Sequence, residues 1–247
     1  MTGPHPLLPM VRKLEKWNRL GDADREAIFA LPYVLREVDP GRYIVREGDR
    51  ADNSCLLRSG FAYRHKIIGD GARQILSIHM TGDMVDLQNS LLRTADHSVQ
   101  ALTRCEIAMI PRGSIQAIAA SNPAVGMAMW LDTLVDASVF REWVANVGRR
   151  DARTRTAHLL CEFAIRQEWA GLGERGCYNL PMTQEQLADA LGLTAVHVNR
   201  TLKSLEADGL IRRDRRSVTI DSWENLRDAG DFSPQYLHHE IIEEVAA

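Results

Sequence analysis

Val196, Asn199, Arg200 and Lys203 recur at i, i+3, i+4 and i+7, the spacing that puts four side chains on one face of a helix. Their chemistry suits base edges. A guanidinium such as that of Arg200 can fork onto O6 and N7 of guanine, Asn199 can pair with an adenine edge or hold a phosphate, and Val196 or Ala195 can touch a thymine methyl. His197 stands in the same turn. Further along, Arg212, Arg213, Arg215 and Arg216 surround a single acid, Asp214. Arginines at that density neutralise phosphates, the source of most sequence-independent affinity for double-stranded DNA.

Helices must hold such a set in place, and the flanking residues specify two. Thr183 can cap the first, with Gln186 three residues later returning the bond in a capping box, while Leu187, Ala188 and Leu191 give it an inward face. Gly192 ends that helix, and Thr194 caps the second. Val198, Leu202 and Leu205 then form its buried stripe, leaving the Val196–Lys203 face outward, and Gly209 supplies the stop. Thr183 and Thr194 also sit at helix N-termini, where exposed N–H groups favour phosphate oxygens. Two short helices joined by a glycine turn make a helix-turn-helix, with the base-reading residues near the start of the second helix. The two apolar runs of Leu210–Ile220, separated by the arginine-rich tip, read as a hairpin or wing.

The net charge of −3 over 247 residues runs against DNA binding until it is divided along the chain. Residues 149–220 hold twelve Lys/Arg against nine Asp/Glu, a net +3, whereas residues 221–247 hold one against seven, a net −6. An acidic tail therefore masks a basic half. An apolar fraction of 45% with 26% charged residues is that of a globular protein. No apolar run reaches a membrane-spanning length and the N-terminus has no signal-peptide pattern, so a cytoplasmic protein is expected. Cys55, Cys105, Cys161 and Cys177 show no metal-ligand spacing and read as buried free thiols; no metal site and no disulfide framework are expected. His65, His79 and His97 are scattered and lack the His-x-His of a metal-dependent enzyme.

The rest of the chain reads as an α+β protein. Residues 5–32 form a short helical arm, with Asp22 or Asp24 capping its second part. From Val34 to Pro111 short alternating segments (Arg42–Arg46, Cys55–Arg58, Phe61–Ile68, Gln74–Ile78 and Glu106–Ile110) are separated by glycine turns, the texture of a β-roll or jelly roll. Helical periodicity follows. Ser121 or Asn122 with Pro123 starts a long helix, on which Met127, Trp130, Leu134, Ala137 and Val144 make a seam interrupted by Arg141. A homodimer is the natural inference, since half-sites about 34 Å apart need a two-fold axis. A hinge is expected at Gly148–Asp151, with Arg149, Arg150, Arg153 and Arg155 near phosphates, then a helix capped by Asp151 and a Tyr178–Leu180 strand. Trp223, Leu226, Phe232, Tyr236 and Leu237 can pack back on this half. Three divisions follow: residues 1–120 (arm and roll), 121–150 (dimerisation helix and hinge) and 151–247 (winged helix-turn-helix with acidic tail).

A roll with Gly41, Gly48, Gly60 and Gly82 at its turns, a long helix, and then Thr183–Ala188 with Val196–Leu202 resemble the Crp/Fnr family of bacterial transcription regulators. The resemblance implies a cyclic-nucleotide-binding-like sensor roll, a dimer joined through the long helix, a winged helix-turn-helix reading a palindrome, and contact with RNA polymerase. Arg200 matches the family's usual guanine-reading arginine, and Val196 replaces the glutamate that often precedes it by four residues. Members that bind cyclic AMP carry Gly-Glu-Leu and Arg-Ser/Thr-Ala motifs. The matching segments here are Val85–Gln88 and Asp96–Val99, in which Leu87 and His97 stand for the glutamate and arginine. Leu87, Gln88, His97 and Ser98 are thus the expected lining of any small-molecule effector pocket, and cyclic AMP is not the expected ligand. Residues 1–54 hold none of the cysteines of the iron–sulfur branch, and no haem ligand set stands out. The competing reading is a small-molecule or cyclic-nucleotide-binding module acting through protein contacts.

Overall fold

The computed structural model describes residues 3–238 and 241. The chain forms two compact units, one holding residues up to Lys66, Ser77–Ser138 and the chain from Leu237, the other holding Ile67–Leu76 and Val139–Tyr236.

Between Val34 and Pro111, period-2 alternation builds two sheets. β1 (Val34–Val38), β7 (Cys105–Pro111) and β3 (Asn53–Ser59) pair antiparallel in the order β1-β7-β3; the second sheet runs β2 (Tyr43–Val45), β6 (Ser98–Ala101), β4 (Ala62–Ile67) and β5 (Arg73–His79). Cys55 and Leu57 of β3, Cys105 and Ile107 of β7, Ala62, Val99 and Ala101 form one core inside the roll. The alternate residues Leu56, Ala108 and Ile110 face the other way, into a core with α1 (Leu8–Leu14), α2 (Asp22–Phe29), α3 (Arg112–Ser121) and the start of α4 (Pro123–Arg149). β1 and β6 are strands that the sequence reading did not separate out, and Gly21 caps α2, with Asp24 accepting from its N–H at 3.0 Å. The turn after β3 admits only glycine at position 60: φ is +86°, and a Cβ there would lie 2.4 Å from the Arg104 carbonyl oxygen.

Pro123 opens α4, which runs unbroken past Gly148, and α5 (Ala152–Trp169) follows after a two-residue corner, Asp151 accepting the Thr154 N–H at 2.9 Å. In the second unit β8 (Cys177–Asn179), β10 (Ser217–Ile220) and β9 (Ile211–Asp214) form a small antiparallel sheet beside α6 (Gln184–Leu191) and α7 (Ala195–Ala207). α8 (Trp223–Ala229) and a 3-10 turn, Pro234–Leu237, complete it. Leu226, Phe232 and Leu237 are buried, as their apolar character predicts. Among the described residues no helix is long and apolar enough to cross a membrane.

Candidate nucleic-acid interface

The two threonines build the local frame. Thr183 Oγ1 accepts the Gln186 N–H at 3.2 Å while Gln186 Oε1 accepts the Thr183 N–H at 2.9 Å, the reciprocal box that its spacing predicts. Gly192 takes the left-handed conformation at φ +62°, and Thr194 Oγ1 then accepts the His197 N–H at 3.2 Å to start α7. Val198, Leu202 and Leu205 are fully enclosed, so Val196, Arg200 and Lys203 turn to solvent, Val196 being 81% exposed.

Arg200 and His197 open onto a cleft of about 480 Å³ between α7 and the first turn of α5, lined also by Asp151, Ala152, Arg153, Thr201 and Ser204. Arg153 shapes that cleft by donating to Ser204 Oγ at 2.9 Å and pairing with Asp208 at 2.6 Å. Gln184 donates to Asn199 Oδ1 at 3.4 Å across the two helices. Neither link was legible in the sequence, because each partner lies more than a helix away.

The arginines sort into two groups. At the wing, Arg212 pairs with Asp221 at 2.7 Å and Arg213 with Glu206 at 2.6 Å, whereas Arg215, at φ +54°, and Arg216 stand exposed on the turn. At the corner, Arg150 bonds to Glu142 and Asp231, and Arg155 donates to the Leu191 and Arg150 carbonyls. Of the four corner arginines expected near phosphates, Arg150, Arg153 and Arg155 instead direct their guanidiniums to oxygens within the fold. On α4, Met127, Trp130, Leu134 and Val144 are exposed apolar side chains, with exposed Arg141 and half-buried Ala137 on the same helix.

Residues 154–229 match the Crp-like helix-turn-helix domain and residues 35–122 the cyclic nucleotide-binding domain. The transcriptional activator protein FnrL of Cereibacter sphaeroides is 30% identical over 217 residues, covering 85% of this chain and 87% of that protein. This chain belongs to the Crp/Fnr family of transcription regulators. The nitrogen fixation regulation protein FixK of Rhizobium meliloti is 29% identical over 199 residues, 79% of this chain and 87% of that one. Among solved structures, FixK2 from Bradyrhizobium japonicum superposes with a TM-score of 0.74 at 24% identity, covering 81% of this chain and 98% of that one, and so shares the α+β fold.

In this Crp/Fnr regulator the segments matching the nucleotide motifs meet in part. Leu87 and Gln88 lie on a 3-10 turn, Leu87–Ser90; Gln88 Nε2 is 3.2 Å from His97 Nε2, and Asp96 Oδ1 is 2.6 Å from His97 Nδ1. Ser98 is used elsewhere, accepting the Glu47 N–H at 3.0 Å. Burial pushes the His97 pKa down from its usual value, with the nearby Arg64 charge acting in the same direction. Arg64, buried beneath, pairs with Asp136 at 2.8 Å and donates to the Val85 carbonyl at 3.1 Å. Cys55, Cys105 and Cys161 are buried, and burial raises the Cys161 pKa to about 12. Cys177 departs from the expectation of four buried thiols: it is exposed on β8, an edge strand of a three-stranded sheet.

Proposed function

We propose that this transcription regulator acts in the cytoplasm as a homodimer, reads a two-fold-symmetric DNA site through α7, and reports to RNA polymerase. One observation carries the DNA contact. The side chains suited to base edges, Val196, Arg200 and Lys203, are the exposed face of a helix whose opposite face is the core of its own domain. Arg200 is the guanine reader, while Ala195, Val196, His197 and Asn199 set the remaining preferences. Thr183 and Thr194 receive phosphates at their helix N-termini, and Arg215 and Arg216 add the wing-tip contribution; Arg212 and Arg213 support the wing from their ion pairs. The exposed apolar side chains of α4 supply the dimer seam.

The roll is not a cyclic AMP receptor on this reading. Where binding members present an arginine, His97 is disfavoured as a cation and has a carboxylate, Asp96, against it. A cyclic phosphate would meet negative charge instead of a bidentate donor. Control then comes from another small effector, or from a rearrangement of the α4–α5 corner that changes the spacing of the two recognition helices and so shifts the population that fits the site.

The test selects bound sequences from a random DNA pool and titrates the selected fragment at matched salt. Arg200→Ala is expected to cost about 1–3 kcal/mol of specific affinity while leaving the salt slope nearly unchanged. Undiminished selectivity in the variant would remove Arg200 from the role. Absence of any salt-dependent DNA binding by the unaltered chain would favour a module that acts through protein contacts.

A further inference from the structure

The residues after the wing do more than fill space. From Trp223 onward the chain crosses α5 and returns to the end of α4, and the closeness of that crossing is fixed by Gly230. A Cβ on this residue would lie 2.8 Å from the His158 nitrogen and 3.0 Å from the Ala157 carbonyl carbon, so the segment lies directly on the α5 backbone. Leu226 and Phe232 are buried beside it, with Phe232 edge-on to His158 at 5.1 Å and Tyr236 stacked on that ring at 5.8 Å.

Polar contacts then join three elements at one carboxylate. Glu162 of α5, 2% exposed, accepts from the indole N–H of Trp143 in α4 at 3.0 and 3.1 Å, from Arg166 at 3.2 Å, and from the Tyr236 hydroxyl at 2.8 Å. His158 Nδ1 lies 3.1 Å from the Gly230 carbonyl, an acceptor only, so this nitrogen carries the ring proton and Nε2 faces the Tyr236 oxygen at 3.2 Å. A second tie runs beside it: Arg150, at the corner, bridges Glu142 of α4 at 2.7 Å and Asp231 at 3.2 Å. The α4–α5 corner is thus bonded at two points to a segment that begins some seventy residues later in the chain.

We propose that residues 223–237 are a strap that holds the corner between α4 and α5, with the Tyr236 hydroxyl as its latch, and that releasing the latch weakens DNA binding. α7 packs on α5, to which Arg153 ties it through Ser204, and Arg155 ties α6 to the same helix through the Leu191 carbonyl. The corner therefore sets how the recognition helix stands to the last turns of α4. A loosened corner leaves the reading face intact but spreads its orientation, which costs affinity through ordering on binding. The consequence for DNA rests on the function proposed above; the strap itself does not.

Two variants of the full chain test this: Tyr236→Phe, which keeps the ring and deletes only the hydroxyl, and Arg150→Met, which removes the guanidinium that bridges Glu142 and Asp231 and so cuts the second tie. Amide hydrogen exchange in the free protein is expected to speed up several-fold over residues 143–158 in either variant, with α6 and the first turns of α7 unaltered. Affinity for a fragment selected by the unaltered chain is expected to fall three- to tenfold by order of magnitude, at an unchanged salt slope. Unchanged exchange at 143–158 overturns the strap, and faster exchange with undiminished affinity overturns its role in binding. Faster exchange in a protein whose unaltered form binds no DNA would instead sink the DNA reading and leave the strap standing.

Discussion

Asp86 shows how a single residue can tie the roll to pH. Its carboxylate accepts the Cys55 N–H at 2.7 Å, yet burial dominates and lifts its pKa to about 7. Folded protein holds this proton up to that point, whereas the unfolded chain releases it near a pKa of about 3.9. The stabilising contribution is therefore complete below about pH 4, is lost progressively as pH rises, and is gone above about 7. His79, His97 and His158 act in the opposite sense: burial lowers each pKa, so below about 6.5 the unfolded chain takes up protons that the folded one refuses, and stability falls with pH. Asp86→Asn keeps an oxygen for the Cys55 N–H and removes the titration. Relative to the unaltered chain, the melting temperature of this variant is expected to gain as pH rises from about 4.5 to about 7.5, the window between the unfolded and folded pKa values, and parallel curves in a thermal scan would contradict the assignment.

Among the elements, α6 and α7 owe their boundaries to local chemistry, and small changes there have predictable costs. Thr183→Ala deletes the acceptor for the Gln186 N–H and is expected to cost about 1 kcal/mol in a urea titration. Gly230→Ala acts through distance instead of capping: the added methyl meets the α5 backbone at 2.8 Å, and a loss of about 1–3 kcal/mol is expected. An unshifted urea midpoint would mean that the crossing segment gives way easily. The contrast explains what could be read in advance. Capping pairs are three residues apart and legible, whereas Gly230 looks like any glycine after a helix until its neighbour is known.

At the scale of the whole molecule the prediction concerns assembly. Trp130 and Leu134, 62% and 48% exposed on α4, sit one turn apart, and two such stripes can cover one another. Sedimentation equilibrium is expected to give twice the chain mass for the unaltered protein and a single chain for Trp130→Glu combined with Leu134→Glu, with selected DNA bound more weakly by the variant. A monomeric unaltered chain would remove the two-fold reader altogether.

Short-range patterns determined much of this protein from the sequence alone: the Thr183 and Thr194 caps, the buried Val198–Leu205 stripe, five of the roll strands, and Pro123 at the start of α4. Each depends on residues within about one or two helical turns, where the backbone period sets which side chains meet. Even the outward face of α7 followed, since burying one stripe leaves the other for solvent. Tertiary structure alone decided how the charges were spent. Nothing in the spacing distinguishes Arg150 and Arg155, bound inside the fold, from Arg215 and Arg216, exposed at the wing tip. Nor does it reveal that Tyr236 reaches Glu162 across 74 positions. A guanidinium or hydroxyl goes to whichever oxygen the fold brings within about 3 Å, and that distance is set by packing between elements remote in the chain.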